Sequence, residues 1–210
     1  MQSDHPIFKK SLKIIQSQLG FTGLNDLEQQ VLERLIHTTG DFAIQHLLKF
    51  SPDACQIGIS ALKSGAPILT DTAMAMAAIT PMASRTLCSQ VNSVLDWAPS
   101  SVEGNQTRIG IGMKNAWIEL SRKFTNSQSP IVIIGSAPTG LDSLLDLIDL
   151  GLNAPSLIIG MPVGFVGVTQ SKNRLLTYDC PQILLEGNRG GAAIAGATVN
   201  ALLRAAILSH

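Results

Sequence analysis

Charge is scarce in this chain. Charged residues make up 14% of the 210 positions, well below the ~25% of an average soluble protein. The 15 basic and 15 acidic side chains also cancel. Without a net field there is nothing to gather nucleic acid or an anionic membrane from a distance, so neither is expected as a partner. Cysteine is scarce too: Cys55, Cys88 and Cys180 lie far apart, with no CxxC and no histidine at a zinc-like interval. That excludes a disulfide framework and a zinc site, and leaves three small buried hydrophobes as the expectation. No apolar run approaches the ~20 residues of a membrane span; the longest, Ser156 to Val168, is broken by Pro162 and three glycines. The first residues, with Asp4, His5, Pro6, Lys9 and Lys10 before any apolar stretch, do not form a secretion signal, so a cytoplasmic location is expected.

Several motifs are missing as well. There is no GxxxxGK[ST] and no GxSxG, and Gly110-Ile111-Gly112-Met113-Lys114-Asn115 lacks both the third glycine and a preceding strand of a nucleotide fingerprint. The acidic residues form no metal-like cluster or catalytic carboxylate pair, so metal is not expected and hydrolytic chemistry loses ground.

What the chain has is apolar content: 45% hydrophobic residues and a positive mean hydropathy. It is not a disordered chain, and its length suits one α/β domain over residues 1–210. So few charges leave part of the surface to be covered by a partner subunit, most simply in a symmetric dimer.

The periodicity predicts a helix capped by Asn25, with Leu24, Leu27, Val31, Leu32, Leu35 and Ile36 on one face, ending near His37 before Gly40. Ser51-Pro52-Asp53 reads as the cap, first-turn proline and first-turn acid of a second helix running to about Lys63. From Pro67 a unit repeats: a short apolar run, a loop of Gly, Pro, Ser or Asp, then a helical segment. The runs are Pro67–Thr70, less distinctly Thr86–Val91, then Ile131–Ile134, Leu157–Ile159 and Ile183–Leu185. Such runs are strands buried on both faces, and their alternation with helices predicts a three-layer α/β/α sandwich around a mainly parallel five-stranded sheet. A last helix from Gly190 to about Ser209 is rich in Gly and Ala, suited to close backbone approach.

Open parallel sheets gather function in the loops beyond the carboxyl ends of their strands. Here those loops read Thr70-Asp71-Thr72, Gly135-Ser136-Ala137-Pro138-Thr139, Gly160-Met161-Pro162-Val163-Gly164 and Gly187-Asn188-Arg189-Gly190-Gly191. The last three join strand ends to helix starts, where free amides favour an anionic ligand. His37 is the sharpest candidate for chemistry. It falls opposite the leucine face at a helix end, a place for either a catalytic histidine or an ordinary surface one. Arg108, Lys172 and Arg189 are either solvated charges or the basic side of one pocket. Thr70, Asp71 and Thr139 read as helix caps that could also touch a ligand. His5, His46 and His210 look incidental.

With these loops in view, the chain resembles the precorrin-8X methylmutase family of cobalamin biosynthesis, including its cobalt-precorrin-8 branch. The likeness runs through Pro6-Ile7 with Ser11, His37-Thr38-Thr39-Gly40-Asp41, Gly65-Ala66-Pro67-Ile68 with Asp71 and Met74, Thr107-Arg108 and Ile134 to Thr139. It continues through Pro162-Val163-Gly164-Phe165-Val166-Gly167, Ser171-Lys172, Gly190-Gly191 and Asn200-Ala201-Leu202. The resemblance implies a flavodoxin-like homodimer that needs no cofactor and moves a methyl group between neighbouring ring-C carbons of a tetrapyrrole, giving hydrogenobyrinic acid or its cobalt counterpart. His37 matches the family's active-site histidine, a general acid. Ser11, Thr70, Asp71, Arg108, Ser136, Thr139, Lys172 and Arg189 are the expected substrate contacts, since the substrate rim carries several carboxylates.

Four positions depart from the family pattern: Ala78 for a common glycine, Ser136 for asparagine, Gln170 for glutamate and Ala192 for serine. They motivate an alternative of another kind, a corrinoid-binding paralogue that holds the macrocycle without converting it. A flavodoxin-like oxidoreductase is a third possibility, one that would need a bound flavin or nicotinamide, for which the sequence offers no fingerprint.

Overall fold

The computed structural model describes residues 5–87, 89–124 and 128–208; Cys88, Ser209 and His210 lie outside them. The elements run α1 (Pro6–Leu19), α2 (Asp26–Thr39), β1 (Leu48–Phe50), α3 (Ala54–Lys63), β2 (Ile68–Thr70), α4 (Ala73–Arg85), β3 (Val91–Ser93), α5 (Arg108–Lys123), β4 (Ile131–Ile134), α6 (Pro138–Asp149), β5 (Leu157–Gly160), α7 (Val168–Leu175), β6 (Gln182–Leu185) and α8 (Ala192–Leu208), with 3-10 turns at Phe42–His46 and Val94–Trp97. No described helix is long and apolar enough to cross a membrane.

The strands form one sheet in the order β1-β6-β5-β4-β2-β3. Five are parallel, and β1 runs antiparallel to β6, pairing Leu48 with Leu185 and Phe50 with Ile183. The sheet therefore has six strands where five were expected. The extra strand, β1, has the short sequence Leu-Lys-Phe at an edge, with only Leu48 buried, so it lacks the apolar run that marks the central strands. Pairing also overrides the expected helix cap at Ser51. Its amide donates to the Gln182 carbonyl and its hydroxyl accepts from the Gln182 amide, extending the β1–β6 ladder. Helix α3 begins only at Ala54, after Asp53 adopts a left-handed φ of 56° without a side-chain cap. The strand expected over Thr86–Val91 sits later, at Val91–Ser93, because Thr86 still belongs to the end of α4 through its bonds to Met82 and Ala83.

Side chains alternate across the sheet. Ile68, Ile131, Ile133, Leu157, Ile159 and Ile183 enter one core with residues of α1, α2, α3, α4 and α8. Leu69, Val132, Ile134, Ile158 and Leu184 enter the other with residues of α5, α6 and α7. The period of two along buried strands thus builds the three layers. Cys55 and Cys180 are free and buried, as expected of small hydrophobes.

Candidate active site

His37 stands in the last turn of α2. That helix is set by a capping box, in which the Asn25 side chain accepts the Leu27 and Glu28 amides and the Glu28 carboxylate accepts the Asn25 amide. It stops at Gly40, which adopts the left-handed conformation at φ 66°. Helix α1 supplies the surroundings. It starts at Pro6, with the His5 ring accepting the Ile7 amide. Ser11 then reaches His37, with Oγ 2.8 Å from Nδ1, and the Phe8 ring stands edge-on to the imidazole at 5.0 Å between centroids. His37 is exposed, yet partial burial and then the Arg34 charge hold its pKa below the ordinary 6.5. Beside it lies a groove of about 310 Å³ whose lining includes Ile7, Lys10, Ser11, Ile14 and Phe42.

The carboxyl ends of the strands carry a second set of groups. Gly135, at the end of β4, has room for no side chain: a Cβ there would lie 2.7 Å from the Ala192 Cα. Gly190 is tighter still, its absent Cβ falling 2.1 Å from the Met161 oxygen, and the Gly191 amide donates to that same oxygen at 2.9 Å. The three loops after β4, β5 and β6 are thereby drawn together. The amides after β4 are not open to a ligand, because Asp71 Oδ2 already accepts from Gly135 (3.0 Å), Ser136 (2.6 Å) and Ala137 (3.2 Å). The expected anion site at the start of α6 thus holds the protein's own carboxylate. Asp71 is buried, which pushes its carboxyl above the usual range, while these three amides and Thr72 pull it back.

The other predicted residues divide between internal tethers and exposed side chains that also have partners. Thr70 is buried, its hydroxyl donating to the Thr72 and Asn92 carbonyls. Thr139 and Thr107 share a hydrogen bond of 2.7 Å that ties the starts of α5 and α6. Arg108 is exposed, with Nε on the Pro99 carbonyl. Lys172 is only 1% exposed, and its Nζ donates to the Gly187 and Arg189 carbonyls at 2.8 and 2.6 Å. Burial lowers its pKa to about 8. Arg189 reaches the other way and pairs with Asp41 at 2.5 Å, just beyond the helix of His37.

Of the predicted contacts, only Ser11 lines the groove at His37. Asp41, Phe8 and Arg34 were not singled out. Asp41 was legible only as the end of His37-Thr38-Thr39-Gly40-Asp41, and Phe8 could have been found from the Phe8, Ser11, Ile15 spacing of an N-terminal helix. Among the departures, Ala78 belongs to helix packing, its Cβ lying 3.1 Å from where a Gly196 side chain would begin. No cluster of potential metal ligands occurs among the described residues.

A titratable histidine at a helix end, with glycine-rich loops beyond the carboxyl ends of a parallel sheet, is the arrangement of an α/β enzyme. Residues 6–205 match the sequence pattern described as precorrin-8X methylmutase, and the chain belongs to that family. It is 36% identical to the cobalt-precorrin-8 methylmutase of Synechocystis sp., with 95% of each chain covered. It is 35% identical to the precorrin-8X methylmutase of Pseudomonas aeruginosa over 93% of both. The crystal structure of a precorrin-8X methylmutase from Thermus thermophilus superposes with a TM-score of 0.85 at 33% identity, covering 98% of this chain and 99% of that one.

Proposed function

We infer that this protein is an isomerase of cobalamin biosynthesis, moving a methyl group between adjacent ring-C carbons of precorrin-8X or cobalt-precorrin-8. The observation that carries the reading is family membership across nearly the whole chain, and the Ser11–His37 contact supplies its chemistry. His37 acts as general acid. In the imidazolium form Nδ1–H donates to Ser11 Oγ, and Nε2–H is left to protonate the macrocycle so that the methyl shift becomes favourable. When that proton leaves, the neutral ring keeps its hydrogen on Nδ1, still held by Ser11. Burial and Arg34 make the imidazolium a stronger acid than a free one, and positioned proton transfer of this kind contributes ~10²–10⁴ in rate.

The carboxylates of the macrocycle rim are taken by Arg108 and Arg189, both on the surface and both able to form charge-assisted pairs. A homodimer belongs to the same proposal. Phe165 and Val166, 90% and 87% exposed, together with Ile7 and Met74, are large apolar side chains that a second copy would cover.

The test is the visible spectrum of precorrin-8X, and separately of cobalt-precorrin-8, mixed with the protein, alongside His37→Ala. The methyl shift changes the conjugated system, so conversion is seen as a colour change. Conversion of one substrate by the wild type, and binding without conversion by the variant, supports the reading and identifies the route. Product binding with no conversion of either substrate overturns it in favour of a corrinoid-binding protein.

A further inference from the structure

Lys172 is a buried ammonium whose named hydrogen-bond partners are neutral. No carboxylate among the described residues forms an ion pair with it, and both of its acceptors are main-chain carbonyls of the loop after β6. Removing a charge from water without a counter-ion opposes folding, so an apolar side chain of similar length would serve packing as well or better. What the amine does is fix a loop. It spans Gly187 and Arg189 from beneath, while the Arg189 side chain leaves the same residue toward solvent, half exposed, and rests on Asp41. The loop is held from its other end by Gly190, packed against the Met161 and Pro162 carbonyls. Asp41 keeps its second oxygen on the Ala43 amide, so it is a fixed carboxylate standing where Arg189 can exchange it for another. An exposed ion pair of this kind is weak and readily replaced.

We propose that Lys172 is a positioning residue for substrate recognition: its ammonium holds the Gly187 and Arg189 carbonyls so that the Arg189 guanidinium is presented where a carboxylate of the macrocycle displaces Asp41. This rests on the functional reading above. It assigns Lys172 no contact with substrate, and it makes the effect of Lys172 pass through Arg189.

The experiment is a double-mutant cycle on the full chain with Lys172→Met, Arg189→Ala and the pair, reading kcat, KM and the binding of hydrogenobyrinic acid by absorbance titration. Lys172→Met is expected to raise KM and weaken product binding about tenfold with kcat nearly unchanged, and to add almost nothing once Arg189 is alanine. Lys172→Gln, which keeps donors for the carbonyls, is expected to recover part of the loss. Asp41→Asn, which removes the competing charge and keeps the cap on Ala43, is expected to tighten product binding. Additive losses from Lys172→Met and Arg189→Ala, a fall confined to kcat, or weaker binding by Asp41→Asn would overturn the proposal. So would failure of both Lys172 variants to fold, which would make the amine a requirement of the fold. If the wild type binds the product but converts no substrate, the isomerase reading fails, while the binding arm of the cycle still decides the role of Lys172.

Discussion

Ser11 Oγ and His37 Nδ1 are 2.8 Å apart, joining helices whose residues are separated by 26 positions in the chain. The contact occupies Nδ1 and so orients the imidazole ring. Replacing His37 with alanine is expected to lower kcat by ~10²–10⁴ while leaving product binding in place. Replacing Ser11 with alanine costs about tenfold in kcat, or about 1.4 kcal/mol, because the ring keeps its chemistry and loses its orientation. Single-turnover spectra of the two variants check both.

The pH dependence has a definite sign. Partial burial and the Arg34 charge both disfavour the imidazolium, so the pKa of His37 lies below 6.5. A reaction that needs the imidazolium then loses kcat as pH rises through that lowered value. Arg34→Met removes one of the two causes and is expected to move the falling limb toward higher pH, as a kcat–pH profile would show.

Asp71 ties the loop after β4 to the end of β2 through three amides on one oxygen. Asp71→Ala leaves those donors without their acceptor, at about 1–3 kcal/mol for each that remains buried and unpaired. Asp71→Asn keeps a carbonyl oxygen in their reach. Urea unfolding is therefore expected to show a midpoint loss for alanine well beyond that for asparagine.

Gly190→Ala places a Cβ 2.1 Å from one main-chain oxygen and 2.6 Å from another, neither of which can swing aside. The loops after β5 and β6 must separate, at a cost of ~1–3 kcal/mol. Gly151→Ala is the control, with a left-handed φ of 90° but nothing within 4 Å. It is expected to lose stability without the rise in KM that Gly190→Ala shows.

The two described cysteines are poor nucleophiles. Burial, then Glu28 for Cys55 and Asp179 for Cys180, raise their pKa values to about 12 and about 11. In a Cys88→Ser background the native protein is expected to leave a disulfide reagent unreacted at pH 8, and to release two thiols in guanidinium.

Much of this arrangement was legible in the sequence. The runs Ile131–Ile134 and Leu157–Ile159 are apolar at every position, which only strands buried on both faces require. Helix α2 was legible from Asn25, its leucine face and Gly40, and these placed His37 outside the core. Elements stabilised by distant partners were not. Ser51 looks like a cap until β6 is known to pair with it, and β1 is too short to show an apolar run, turning only Leu48 and Phe50 to the core. The third strand begins only at Val91, several residues after α4 ends at Arg85, and Pro81 inside that helix did not end it.

Sequence alone determined the parallel α/β class and the family, because these depend on local periodicity and on motifs in fixed order. Only the tertiary structure decided what the polar loop residues do. Asp71 and Lys172 look alike in sequence, as charged groups just beyond strand ends or their loops, yet one fills the amides expected to hold a ligand and the other grips two carbonyls from below. A buried charge must find its partners wherever the fold brings them, and here those partners are main-chain groups 64–66 and 15–17 residues away. No local pattern encodes such pairings, since every residue but proline carries the same amide and carbonyl, and only position in space selects among them.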